Sequence, residues 1–249
     1  MNLIGAVVPH APLLVPELGG TAVAERAQPV RDAVARLGLD GVDAAVLISP
    51  HAQVTGVYAA AEGTLDGFGA PGFAARRETE TGLVERMGAA AGFELLEGPL
   101  DHGALVPLLL GAVPEIPVAV VGLREVTGPG GAPAAEVVDA SARVGAAIAG
   151  LSNGASVAIV VSAHGSAGLT PGAPLTERPG AAAFEDALVG ALTQDAAHVG
   201  SIPPEDWAAA GACGGGPLLA LAGAFAGRAF DVLHHSAPFG VGYLVARSR

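Results

Sequence analysis

Short runs of consecutive apolar residues alternate along the chain with longer stretches in which apolar positions recur every three or four residues. The runs predict strands over Leu3–Val8, Ala44–Ser49, Val54–Ala59, Val118–Gly122, Val157–Ser162, Ala229–His234 and Val241–Ala246. The longer stretches predict helices over Thr21–Leu37, Glu78–Ala91, Ala104–Ala112, Ala134–Gly150, Ala181–Leu192, Pro204–Ala210 and Pro217–Ala226. Several strand runs are apolar at every position, which is the pattern of strands covered on both faces. The rhythm therefore predicts an α/β fold, a single-domain three-layer sandwich over residues 1–249 with a mainly parallel or mixed central sheet flanked by helices. Val126–Pro133, rich in glycine and proline, reads as a mobile surface loop within that domain, because the βα rhythm resumes beyond it.

Composition narrows the picture. With 37 Gly and 19 Pro among 249 residues the chain approaches low complexity, yet 51% of its residues are hydrophobic and its mean hydropathy is +0.52, so disorder is excluded. Charge is sparse and one-sided: 24 acidic residues stand against 12 basic ones, all arginine, for a net charge of −12. That balance repels a phosphate backbone, and no basic patch offsets it, so nucleic acid is not an expected partner. The single cysteine allows no internal disulfide and fits a reducing cytoplasm. The N-terminus lacks a basic leader region. The uncharged, apolar stretch Ala208–Gly227 is nominally long enough to span a bilayer but is broken by Gly-Gly-Gly-Pro, so no membrane partner is expected.

The candidate chemistry is positional. His10 follows GAVVP, His51 follows AVLISP and His164 follows AIVVSA, so three of the seven histidines lie just past a predicted strand. In open α/β sheets the crevice beyond the carboxyl ends of the strands is where ligands bind. His10 and His51 also share a local form, V-P-H-A-P against S-P-H-A-Q. Imidazoles gathered on one rim suit a divalent transition metal or proton transfer near neutral pH.

Two further segments point to the same rim. In PLDHGALVPLLL, Asp101 is a candidate helix N-cap. His102 would then stand at the N-terminal end of that helix, where the dipole disfavours imidazolium. Cys213 lies in GACGGGPLLAL, before a glycine turn and a proline suited to the first helical position. A thiol there is expected to have a lowered pKa, although a small buried apolar residue is the commoner fate of a free cysteine. Gly214–Gly216 could alternatively cradle an anion at the helix start, but the Lys and Ser/Thr of a phosphate-binding loop are missing. His234 and His235 are neighbours in a predicted strand and point to opposite faces, so at most one could join a site. His198 lies in a polar stretch and is expected to be solvated.

Taken together these segments resemble the class III extradiol ring-cleavage dioxygenase family, the LigB-like superfamily, which includes the Memo-type proteins. The match comprises VVPHAPLL, ISPHA, LDHGALVPLLL, VVSAHGSA, ACGGGPLLAL and FGVGYLVA, in that order through most of the chain. The resemblance implies a non-haem Fe(II) site with His10 and His51 as imidazole ligands and Cys213 as the third ligand, with Zn or Cu as alternatives. It implies that His102 donates to oxygen, that His164 transfers protons, and that Asp101, Pro12 and Ser166 bind substrate. Ring-cleaving members carry a Glu where Cys213 stands, as in Memo-type relatives; Glu205 and Asp206 precede the expected position. The family's Asp-x-Ser-His segment aligns with His164-Gly165-Ser166-Ala167, so its Asp and His are replaced by His164 and Ala167.

Two functions follow as expectations. One is oxygen-dependent cleavage of a small catecholic or related aromatic substrate. The other is a Memo-like metal-binding protein of redox or metal-handling role, in which sulfur ligation has displaced ring cleavage. A homo-oligomer or a pairing with a small second subunit belongs to the same family expectation.

Overall fold

The structure, a computed structural model, describes residues 2–126, 132–151 and 154–249. Among these, one sheet contains eight strands: β1 (Asn2–Val8), β2 (Ala44–Ser49), β3 (Gly56–Tyr58), β6 (Leu95–Leu96), β7 (Val118–Gly122), β8 (Ser156–Ser162), β9 (Phe230–Ser236) and β10 (Tyr243–Ser248). Their order is β6-β3-β7-β2-β8-β1-β10-β9. The central four, β7-β2-β8-β1, are mutually parallel, while β3 and β10 run antiparallel beside them. A separate hairpin joins β4 (Ala61–Leu65) to β5 (Ala70–Arg77).

Alternation along each central strand divides the core in two. Val46 and Ile48 of β2 face a cluster with α2 (Thr81–Ala91), α4 (Ala134–Ala149), α5 (Ala181–Gln194), α6 (Pro204–Ala210) and α7 (Gly215–Ala224). Ala45 and Leu47 face a second cluster with α1 (Gly20–Ala35) and α3 (His102–Leu109). Both faces are buried, which is why β2 reads AAVLIS without a polar alternation. The expected three-layer α/β architecture is therefore what the chain adopts. No helix among the described residues is long and apolar enough to cross a membrane.

Differences from the expected elements have local causes. The β4–β5 hairpin carries Pro71 and Gly72, and its buried positions are mostly small (Ala61, Gly63 and Ala70 beside Leu65), so the sequence reads as turn rather than as strand. Helix α2 starts at Thr81 and not at Glu78, because Thr79 bridges to Val118 and the Glu80 side chain caps the helix. The loop expected over Val126–Pro133 lies largely outside the described residues.

A candidate metal centre at the strand ends

Sheet register places the histidines. Val8 of β1 pairs with Ser162 of β8, and Ile48 of β2 pairs with Val161, so three parallel strands end at one level. His10, His51 and His164 each lie two residues beyond that level, at the carboxyl-end crevice. The rings of His10 and His164 are 3.8 Å apart between centroids, and those of His10 and His51 are 4.8 Å apart.

Two helix N-termini close the centre from either side. Asp101 caps α3: its Oδ1 accepts from the Gly103 and Ala104 amides at 2.8 and 3.2 Å and from Ser49, and its Oδ2 accepts from the Tyr58 hydroxyl at 2.8 Å. A Cβ on Gly103 would stand 3.0 Å from the Pro50 ring, so only glycine lets α3 sit this close to the end of β2. His102, the first residue of α3, stacks on His51 with centroids 4.1 Å apart and an interplanar angle of 20°. Phe68, 53% exposed, meets His102 edge-on at 4.9 Å. On the other side the His164 amide donates to the Cys213 carbonyl at 2.6 Å, which ties the segment before α7 to the end of β8. Gly214 turns the chain with φ +108°, and a Cβ there would lie 2.5 Å from Ala163.

The result is a triangle of potential ligand atoms. His10 Nε2 and His51 Nε2 are 3.0 Å apart, and Cys213 Sγ lies 3.2 Å from His51 Nε2 and 3.5 Å from His10 Nε2. An ion at ordinary metal–nitrogen and metal–sulfur distances, with ligand angles between square and tetrahedral, requires edges of about 2.9–3.4 Å between nitrogens and about 3.1–3.6 Å between nitrogen and sulfur. The three edges fit. His102 belongs to the same neighbourhood: one nitrogen from each of His10, His51 and His102 falls within 4.8 Å of the others.

Hydrogen bonding and burial prepare these groups. The Ser162 hydroxyl donates to the Gly103 carbonyl at 2.6 Å and therefore accepts from His10 Nδ1–H at 2.8 Å. That fixes the tautomer and leaves the Nε2 lone pair of His10 aimed at the centre. Burial lowers the pKa of all four imidazoles. His10 lies well below its ordinary value, with the neighbouring charges of His164, His51 and His102 adding to burial. His51 falls to about 4 and His164 to about 3, burial being the main cause in each. His102 is lowered by burial, partly offset by Asp101. All four are neutral near pH 7. The Nδ1 of His164 is buried with no partner among the described residues.

Cys213 departs from the expected lowered pKa. Burial, followed by the adjacent Glu125 carboxylate, pushes its thiol well above the ordinary value. Together, burial and the neighbouring carboxylate outweigh the helix N-terminus beside it. Glu125 is the residue that sequence reasoning missed. Its Oε2 accepts from the Gly214 amide at 2.7 Å, it bonds the Cys213 thiol, and burial raises its pKa to about 7. The anion cradled by the glycine turn is thus the protein's own carboxylate. The signal was available: Glu125 lies three residues past the predicted strand Val118–Gly122, on the same rim as the histidines.

Other expected residues fall elsewhere or take other roles. Pro12 opens a short 3-10 turn, Pro12–Leu14, two residues past His10. Asp101 is engaged on both oxygens as a cap. Ser166 is fully buried, donates to the Ala210 carbonyl at 2.6 Å and accepts from the Gly168 amide at 3.1 Å, which leaves its hydroxyl no free donor for a ligand. Glu205 and Asp206 are exposed on α6. His235 bonds Glu185 at 2.5 Å and His234 bonds Ser236 at 2.7 Å, so neither joins the centre; His198 is exposed.

No family model and no curated protein matches the sequence. Among solved structures, the crystal structure of an uncharacterized protein from Escherichia coli K12 is similar over 98% of this chain and 98% of its own, with a TM-score of 0.62 and 16% sequence identity. At that identity the likeness carries the fold.

Proposed function

We propose that the protein is a non-haem Fe(II)-dependent dioxygenase of the extradiol type, which opens the ring of a small catecholic or related aromatic substrate with dioxygen. The observation that carries this reading is the convergence of His10 Nε2, His51 Nε2 and Cys213 Sγ within 3.0–3.5 Å, beside two further neutral imidazoles. When bound, the metal supplies open coordination positions for substrate and oxygen and the capacity for electron transfer between them.

The chain's own residues do the rest. His10 and His51 hold the ion through Nε2, and Cys213 joins them once its thiol proton has left. His102, half-buried and neutral, accepts a proton from a substrate hydroxyl or donates one hydrogen bond to an oxygen that gathers negative charge. His164, beside His10, has a nitrogen with no partner among the described residues and serves proton transfer there. Leu13, Val54 and Phe68 are exposed apolar residues close in sequence to the site, or in contact with it in the case of Phe68; they suit an apolar ring better than a charged metabolite.

A second reading is a metal-binding protein of redox or metal-handling role without ring cleavage. The sulfur of Cys213 favours it: a thiolate is softer than the carboxylate of ring-cleaving enzymes and raises affinity for Cu or Zn. Anaerobic loading with Fe(II), followed by oxygen and a panel of catechols, separates the two. The dioxygenase reading expects a yellow ring-fission product that disappears in His10→Ala. Tight metal binding with no turnover of any catechol would overturn it in favour of the second reading.

A further inference from the structure

On the far side of Glu125 from the metal centre, among α4, α6 and α7, lies a cavity of about 150 Å³. Val126, Val137, Ile202, Trp207 and Leu219 line it, and among the described residues Glu125 is its one charged wall residue. That carboxylate is already engaged by the Gly214 amide, the Val126 amide and the Cys213 thiol. Val138, Gly200 and Pro204 are exposed at its mouth, so the cavity opens to solvent, and apolar walls around about 150 Å³ admit a molecule of benzene size.

We propose that this cavity is a binding site for one small uncharged apolar molecule, no larger than a single benzene-sized ring. Trp207 supplies an aromatic wall, buried and held edge-on by Phe184 at 5.0 Å, and Val137 and Leu219 add aliphatic walls. An occupant touches Glu125, the residue that bonds the Cys213 thiol, so the site adjoins the centre from its sulfur side. The inference stands on the cavity and its lining and does not depend on which metal, if any, the centre holds.

Trp207 is the chain's only tryptophan, so its emission reports occupancy directly. Benzene titrated into the metal-free protein is expected to change that emission saturably, and xenon under pressure is expected to occupy the cavity in a crystal. Leu219→Phe and Ala134→Leu fill the cavity from different walls, and each is expected to weaken benzene binding by at least about tenfold. Cooperative urea unfolding shows that each variant is folded, and two walls are tested so that the failure of one variant to fold leaves the other. The proposal is overturned if the folded wild type gives neither a saturable emission change nor a xenon peak. It is equally overturned if a folded, filled variant binds benzene as tightly as wild type.

Discussion

Ser162 decides which nitrogen of His10 faces the centre. Because its hydroxyl gives its proton to the Gly103 carbonyl, it can only accept from His10 Nδ1–H. Partners of this kind orient a ligating imidazole and raise its basicity, and their loss typically lowers metal affinity about 10- to 100-fold. Ser162→Ala is therefore expected to weaken metal binding by that factor, measured by competition with a chelator, while leaving a folded protein. An unchanged affinity would mean that Nε2 of His10 is not a ligand. Among the single residues, the histidines were legible in the sequence because each follows a strand that its apolar run announces. The state of Cys213 was not legible. A thiol near a helix N-terminus suggests acidification, but the sequence does not reveal that Glu125 and deep burial lie against it.

At the scale of elements, α3 is pinned to the sheet by one carboxylate. Asp101 caps the helix, accepts from Ser49 at the end of β2 and accepts from Tyr58 at the end of β3. Asp101→Ala removes the cap and leaves the buried Tyr58 hydroxyl without its acceptor, an expected loss of about 2–4 kcal/mol. A shift of the urea midpoint checks this, and the same variant is expected to loosen the stacking of His102 on His51. The cap itself could be read from Asp-His-Gly ahead of an apolar stretch. Its two further partners could not, since they come from strands more than 40 residues away in the chain. The strand-end rule that located His10, His51 and His164 also covers Glu125 after β7. It was missed because attention to imidazoles leaves a carboxylate to be counted with the solvated acids.

At the scale of the whole molecule, the centre makes stability depend on pH. An unfolded histidine titrates near 6.5, whereas burial holds His51 at about 4 and His164 at about 3, with His10 and His102 lowered as well. The folded metal-free protein thus binds fewer protons than the unfolded chain as pH falls below about 6.5. Stability from these groups is complete above that value and is lost on acidification toward the lowered values. His51 and His164 are each expected to contribute a loss of about 1 kcal/mol between pH 7 and 5.5. His235, raised chiefly by its hydrogen bond to Glu185, and Glu125, whose carboxyl burial raises to about 7, take up protons in the folded state over this range, act in the opposite direction and offset part of the combined loss from the four imidazoles. Urea midpoints at the two pH values test the sign: a midpoint that is unchanged or higher at pH 5.5 contradicts the burial of neutral imidazoles. The global architecture that creates this dependence was legible, because central strands apolar at every position demand cover on both faces. The β4–β5 hairpin was not, because its exposed, glycine- and proline-containing strands bury too little to leave a pattern.

The central claim is that His10, His51 and Cys213 hold one ion together. Anaerobic titration of the metal-free protein with Co(II) reads this directly, since a cysteine thiolate on cobalt gives a near-ultraviolet charge-transfer band. The thiol must first lose its proton, so affinity is expected to rise about tenfold per pH unit around neutrality. The expected result is a band that saturates at one equivalent, disappears in Cys213→Ser and is lost or strongly weakened in His10→Ala and His51→Ala. Failure to take up cobalt, or a saturable band that survives in Cys213→Ser, would contradict the account.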